Sequence, residues 1–384
     1  MRWRATYVWL LATATLVFQP LKAQHHQEQL EHETHAAEHV QDAHHDAQHS
    51  DAEEAFDPST LIMHHIADAH EFHAWGDHES GFTLPLPVIL WTEGGLVSFL
   101  SSEFHHDDAG THVVEKNGQR LVKYHEKIYY AADVPNDHGA YVTYVEGEDH
   151  AVANERPLDF SITKNVFSLL MSALVLILLF SAAGRSYKNG LVARGIGSFL
   201  EPLVVFVRDE IARPNIGEER YKKFMPYLLT LFFFIWMNNL IGLIPFFPFS
   251  SNLTGNIAVT FTLAFMTLIV TNVSANGGYW KHIFMPPVPW PLWIVMIPVE
   301  LIGVISKPFA LMVRLFANIT AGHIIILSLT SLIFIFQSMA IAPVSVVFVL
   351  FMNFIELLVA ALQAYIFTLL SALFIGLAHV DEHH

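Results

Sequence analysis

Five ionisable side chains lie inside two long apolar runs toward the end of the chain: Glu300, Lys307, Arg314, His323 and Glu356. Asn318, Asn353 and Gln363 are their polar neighbours. An ionisable group at bilayer depth costs at least about 2.5–3.5 kcal/mol, so such groups mark ion pathways, proton relays or counter-ions. They also serve as interhelical pairs that hold a bundle together, a use that suits Lys307 between Ser306 and Pro308. It does not suit Arg314, whose neighbours Val313, Leu315 and Phe316 supply no counter-charge. At 100° per residue, Asn318 falls on nearly the same helical face as Arg314, one turn later. His323, nine residues after the arginine, falls on the opposite face. Glu300 lies about 40° off the arginine face and roughly 21 Å away along the axis. In the second run, Asn353, Glu356, Ala360 and Gln363 share one face. One helix thus carries a permanent cation on one side and a proton-exchanging imidazole on the other. Its neighbour offers a carboxylate and an amide at matching depth. Such a set can hold water and relay protons, yet it includes no nucleophile, no Ser/His/Asp triad and no phosphate-binding glycine loop.

Membrane helices are needed to position these groups. Residues 165–184 form a hydrophobic span flanked by Lys164 and by Arg185 and Lys188. Residues 190–213 alternate apolar faces with Arg194, Arg208 and Arg213 and read as an interfacial amphipathic helix. Residues 224–244 and 253–273 are two further spans, and a proline-rich entry at 286–291 leads to stretches over 292–336 and 344–380, broken by Pro343. The eight basic residues from Arg185 to Lys223 all lie between the first and second spans, whereas 246–252 and 337–343 have none. The positive-inside rule therefore places 185–223 in the cytoplasm and the N-terminal region outside. An odd number of spans leaves the C-terminus inside.

Composition agrees with a membrane protein. Of 384 residues, 53% are hydrophobic and 15% charged, against about 25% charged in an ordinary soluble domain. A net charge of −16 argues against a nucleic-acid partner. The absence of cysteine excludes disulfides, thiolate metal sites and a cysteine nucleophile. The charge is uneven: residues 24–160 hold 27 acidic and five basic residues and 19 of the 24 histidines. Four segments follow. Residues 1–23 read as a signal peptide, with Arg2 and Arg4 before an apolar stretch too short to span and Ala23 as a cleavage residue. Residues 24–55 are a His/acid-rich disordered segment. Its His44-His45 pair, like His64-His65 just beyond, offers zinc or copper ligands, but their spacing follows no site template. Residues 56–160 form an exterior β-containing domain: strands over 84–91 and 96–100 flank Glu93-Gly-Gly95, and Asn117-Gly118 marks a hairpin within 113–124. Residues 161–384 form the membrane ion-translocating domain.

Two motifs make a family recognisable. Residues 306–323, SKPFALMVRLFANITAGH, closely resemble the fifth helix of subunit a of the F-type ATP synthase, and 356–367, ELLVAALQAYIF, resemble its sixth. The resemblance covers about 160–380, and nothing is carried from it onto 24–155. It implies an all-α polytopic membrane protein of about five transmembrane helices plus an interfacial helix, the last two helices long and facing a rotor ring. In that family subunit a is a stator beside a ring of c subunits, each with a membrane-buried carboxylate. The resemblance gives Arg314 the role of stator arginine. The physical choice is sound, since a guanidinium stays charged even where lysine would neutralise. It separates two offset half-channels: His323 and Glu356 match positions lining the exterior one, exchanged relative to many bacterial relatives, and Glu300 matches the cytoplasmic one. Asn318 and Gln363 match polar residues near the arginine. Some relatives carry an Asp near the position of Gly242, where this chain has only Asn238 and Asn239. The implied partners are the c-subunit ring, the b-subunit peripheral stalk, the rest of the ATP synthase and the lipid bilayer. ATP chemistry would occur on other chains, with no cofactor or metal here, in a bacterial inner membrane with the N-terminal domain periplasmic. A secondary transporter or metal exporter using the His-rich extension is the other reading; it predicts inverted repeats with interrupted helices, which are not evident. A purely structural scaffold would not need Arg314.

Overall fold

The computed structural model describes residues 67–75, 82–145, 151–187, 195–243, 251–286, 288–336 and 342–379. The expected signal peptide and His-rich segment lie outside these residues. The described residues fall into two units, one within Ser59–Met171 and Ile241–Ser251, the other within Ser172–Leu240 and Asn252–His384.

The first unit contains eight short strands: β1 (Glu71–Trp75), β2 (Phe82–Pro85), β3 (Pro87–Thr92), β4 (Gly95–Leu100), β5 (Ala109–Lys116), β6 (Gln119–Tyr124), β7 (Lys127–Tyr130) and β8 (Leu158–Asp159). They form three antiparallel sheets, β1-β2, β4-β3-β8 and β5-β6-β7. Alternation sends Val88, Leu90, Val97 and Phe99 inward against Val114, Leu121 and Ile128. The strand expected over 84–91 is divided at Leu86, where the chain changes sheet; Leu86 there exchanges bonds with Ser101, its N–H donating to Oγ and its C=O accepting from the backbone N–H. Asn117-Gly118 makes the expected two-residue hairpin, with φ of 50° and 74°. A second two-residue turn joins β6 to β7 at His125-Glu126, both at positive φ (47° and 59°) without a glycine. Left-handed backbone costs an ordinary residue roughly 1–2 kcal/mol. The turn is held by the Glu126 N–H donating to Asp108 Oδ1 at 2.6 Å, and it brings the Glu126 carboxylate 3.6 Å from the Lys123 ammonium.

Lys123 is 2% exposed and also meets Glu71 at 3.1 Å and Asp108 at 3.7 Å. Nearby, His70 pairs with Asp159 at 3.0 Å. Burial opposes the charge on His70, but Asp159, Glu126 and Asp68 outweigh it and raise the imidazole above its ordinary value. Asp68 receives the Thr163 hydroxyl and the Asn165 N–H, both at 3.0 Å, and so satisfies a free donor in the first turn of a helix.

That helix is α1 (Lys164–Ser186). There follow α2 (Ile196–Phe206), a π turn over Val207–Ala212, α3 (Arg213–Ile216), α4 (Tyr221–Gly242), α5 (Ile257–Ser274), α6 (Gly277–Phe284), α7 (Trp293–Phe336) and α8 (Ala342–Leu377). Five of these, α1, α4, α5, α7 and α8, are long and apolar enough to cross a membrane. The amphipathic helix expected over 190–213 is, among the described residues, a composite: α2 passes through the π turn into α3, burying Val207, Ile211, Ala212 and Ile216. The third span starts at Ile257 rather than 253, because the Asn256 side chain accepts from the Ala258 N–H at 2.9 Å and caps the helix there. Pro343 does not break a helix; it lies in the first turn of α8, where a missing N–H is harmless. Helix α7 runs 44 residues through Pro298 and Pro308.

In the second unit, side-chain bonds fasten α8 to its neighbours. Asn239 donates to the Ala360 carbonyl at 3.3 Å and accepts from Thr254 at 2.7 Å. Thr267 Oγ1 bridges Tyr227 at 2.8 Å and Ser371 at 3.3 Å. Arg220 donates to the His379 carbonyl at 2.6 Å. Gly376 lies so close to the Asn215 carbonyl that any side chain there would collide with it.

Candidate functional site

Helix α7 has two faces of different character. Leu311, Met312, Leu315 and Ile319 are buried in the bundle. Phe309, Ala310, Val313, Ala317 and Ala321 are exposed, and Arg314 and Asn318 share that exposed face. Helix α8 likewise exposes Phe354, Leu357, Leu358, Ala361 and Leu362. The exposed apolar stripe is the composition of a helix facing lipid or another membrane chain. Among the described residues Arg314 has no ion pair and no hydrogen bond. A guanidinium on such a face, uncompensated among the described residues, is suited to receive an anion.

On the opposite side of α7, His323 Nε2 approaches Glu356 Oε1 of α8 at 3.9 Å. Glu356 is 4% exposed, and neither carboxylate oxygen accepts a hydrogen bond among the described residues. The structure therefore joins the imidazole on the face of α7 opposite Arg314 to the carboxylate that the neighbouring helix offers at matching depth. Gly322 makes room for them: a Cβ there would come within 2.6 Å of Glu356 Oε1. Because α7 and α8 pack together as an antiparallel pair, this contact fixes their register. Counting back from His323 to Arg314 and forward from Glu356 to Gln363 spans about 13 and 10 Å, so the amide lies near the level of the arginine. Gln363 and Ala360 are buried with Glu356, and Asn353 is half-buried, its amide donating to the Val349 carbonyl at 3.0 Å.

Glu300 is apart from this group, near the start of α7. His282 of α6 approaches it at 4.0 Å. The hydroxyl of Tyr279, also on α6, is raised above the ordinary phenol value by burial and then by the Glu300 charge. Lys307 has an aromatic partner in place of an acid: its ammonium is 5.9 Å from the centre of the Phe374 ring, beside Thr271, Asn272 and Tyr279. Two site residues are not signalled by the sequence: His282 has no periodic signal, and Gly322 is only a small residue beside His323.

The Gly322 gap carries a prediction. Gly322→Ala should leave helix propensity slightly improved while forcing the Glu356 carboxylate away from His323. Assembly and abundance should stay near native, while ion flux falls by roughly tenfold. Unchanged flux at native abundance would show that the carboxylate is not positioned by this contact.

Two family models match the chain. Residues 166–376 match the ATP synthase A chain, and residues 61–160 match a domain of unknown function, DUF8433. The chain is similar to ATP synthase subunit a of Chloroherpeton thalassium, 50% identical over 234 residues that make up 59% of this chain and 69% of the relative. Subunit a 2 of Chlorobaculum tepidum is 49% identical over 59% of this chain and 66% of its own length. Subunit a of Myxococcus xanthus is 46% identical over 59% of this chain and 76% of its own.

Proposed function

The chain belongs to the ATP synthase A chain family, and on that premise we propose that it carries protons between two offset half-channels and the c-subunit ring of an F-type ATP synthase. The observation that supports this reading most is the division of α7, with Arg314 unpaired among the described residues on an exposed face and His323 beside buried Glu356 on the other. The ring carboxylate is the anion that Arg314 lacks. Its attraction favours the ionised carboxylate opposite the arginine and opposes passage of a protonated one, so a proton cannot pass straight from one half-channel to the other. His323 and Glu356 exchange protons on the exterior side, and Glu300 does so on the cytoplasmic side, with His282 as its neighbour. Asn318 and Gln363 hold water near the arginine. Each 100 mV contributes about 2.3 kcal/mol per proton, which the ring converts to rotation; ATP chemistry belongs to other chains.

The same reading places the chain in a bacterial inner membrane, with residues 1–23 as a leader, 24–55 and 56–160 outside, and 161–384 forming the translocating domain between ring and peripheral stalk. The test is proton flux in vesicles carrying the whole complex. Glu356→Leu should reduce coupled flux about a hundredfold. The exchanged pair, His323→Glu with Glu356→His, should retain much more, because a carboxylate and an imidazole can relay in either order. Equal losses in both variants would remove the relay role.

A further inference from the structure

Serine and threonine in these helices usually return their hydroxyl to the carbonyl four residues back. Thr262, Thr330, Thr368 and Ser371 all do so at 2.8–2.9 Å or closer. Thr320 and Ser331 on α7 do not, and neither do they find another partner among the described residues. Ser345 on α8 is equally unpartnered. Ser331 is 1% exposed and Ser345 2%. A buried hydroxyl left without a hydrogen bond costs about 1–3 kcal/mol, so a polar species normally completes it.

The positions of these groups form a pattern. Thr320 and Ser331 are eleven residues apart, three turns, and so share one stripe of α7. Ser345 and Glu356 are also eleven apart and share one stripe of α8. The His323–Glu356 contact sets the register of the pair. Ser331 is then about 12 Å, and Ser345 about 16 Å, from that contact toward the ends joined by residues 337–341. In the proposed sidedness this end is exterior. At the inner limit, neither carboxylate oxygen of Glu356 accepts a hydrogen bond among the described residues.

We propose that Ser331 and Ser345 line a file of water that admits protons from the exterior to Glu356 and His323, with Thr320 just past that pair on the arginine side. The inference rests on the translocation reading above and adds to it the location of the entry. Each hydroxyl accepts one hydrogen bond and donates another, so a proton moves along the water and no serine takes a net charge. The hairpin between α7 and α8 then supplies the polar groups that the glycine at position 242 does not.

The cysteine-free chain makes the test specific. Single variants Ser331→Cys and Ser345→Cys, in the whole reconstituted complex, are exposed from the exterior side to a charged, membrane-impermeant thiol reagent. Phe348→Cys and Ile335→Cys, at exposed apolar positions of similar depth, are the controls. A thiol reacts only as hydrated thiolate, so both serine positions should label at least about tenfold faster than the controls, and labelling should block flux. Labelling no faster than the controls would overturn the proposal. Glu356→Leu separates the two levels: if its flux is lost while both cysteines stay unreactive, the entry lies elsewhere and the translocation reading stands. If its flux is retained, the translocation reading falls whatever the labelling.

Discussion

Arg314→Ala is expected to abolish ATP-driven pumping and gradient-driven synthesis together, while passive proton leak through the membrane sector is kept or raised. The argument is electrostatic. Arg314 is the charged member of an exposed apolar face and has no counter-ion among the described residues. A carboxylate brought to about 4 Å from it gains roughly 4 kcal/mol at an effective dielectric constant near 20. Losing that attraction slows passage of the ionised carboxylate by about three orders of magnitude. It also removes the barrier to a protonated one, so a proton can cross without turning the ring. Arg314→Lys distinguishes charge from shape: it retains a cation only while the ammonium holds its proton, and lacks the planar fork of donors. It should therefore lie between native and alanine in coupled flux. Proton flux and ATP synthesis in the same vesicles provide the measurement. Coupled activity that survives Arg314→Ala would make Arg314 structural and end the stator assignment.

How much of this site could be read before the fold depends on how local each determinant is. Arg314 and His323 stand nine residues apart on one helix, so their opposite faces follow from helical geometry alone, and the packed hairpin needed only to supply Glu356. The five spans follow from apolar length in the same way. Contacts that depend on a third element were not legible. His282 meets Glu300 only because α6 brings it back against the start of α7. Asn239 joins α4, α8 and the turn at Thr254 through an amide that the sequence shows only as a polar residue near the end of a span. Proline alone does not mark a break: Pro343 lies in the first turn of α8, where it is compatible with the helix. The β-stranded unit reverses the balance. Its Asn117-Gly118 hairpin carries the residues that a turn with two positive φ values demands. The His125-Glu126 hairpin defies that preference and is held by Asp108 and the neighbouring charges.

Those charges lead to the second large effect, Lys123→Met, which should unfold or loosen the β5-β6-β7 sheet at neutral pH. In the native domain burial opposes the charge on Lys123, but Glu126, Glu71 and Asp108 outweigh it and hold the ammonium above its ordinary value. Its contribution is therefore complete below the unfolded lysine value and is lost only as pH rises through the higher folded one. Methionine matches the length of the stem and removes the cation, leaving three carboxylates together with Glu71 also 2.6 Å from His106. Removing one partner of a buried charge cluster costs about 3–5 kcal/mol, a large part of the stability of a small domain. The stranded carboxylates then favour their protonated forms, with folded values above the unfolded ones near 4. Stability should accordingly return as pH falls from about 7 toward 4–5 in the variant. The native domain should gain less over the same range: raised His70 and Asp68 also favour the folded state as pH falls, while Asp159, held below the usual carboxylate range against its burial by His70 and Ser161, opposes them, so the variant's excess slope is the readout. Hydrogen exchange across residues 109–130 of the full chain, corrected for intrinsic rates at each pH, measures both slopes. Protection in Lys123→Met equal to the native level at pH 7 would mean that the cluster tolerates the loss and that the buried lysine does not organise the domain.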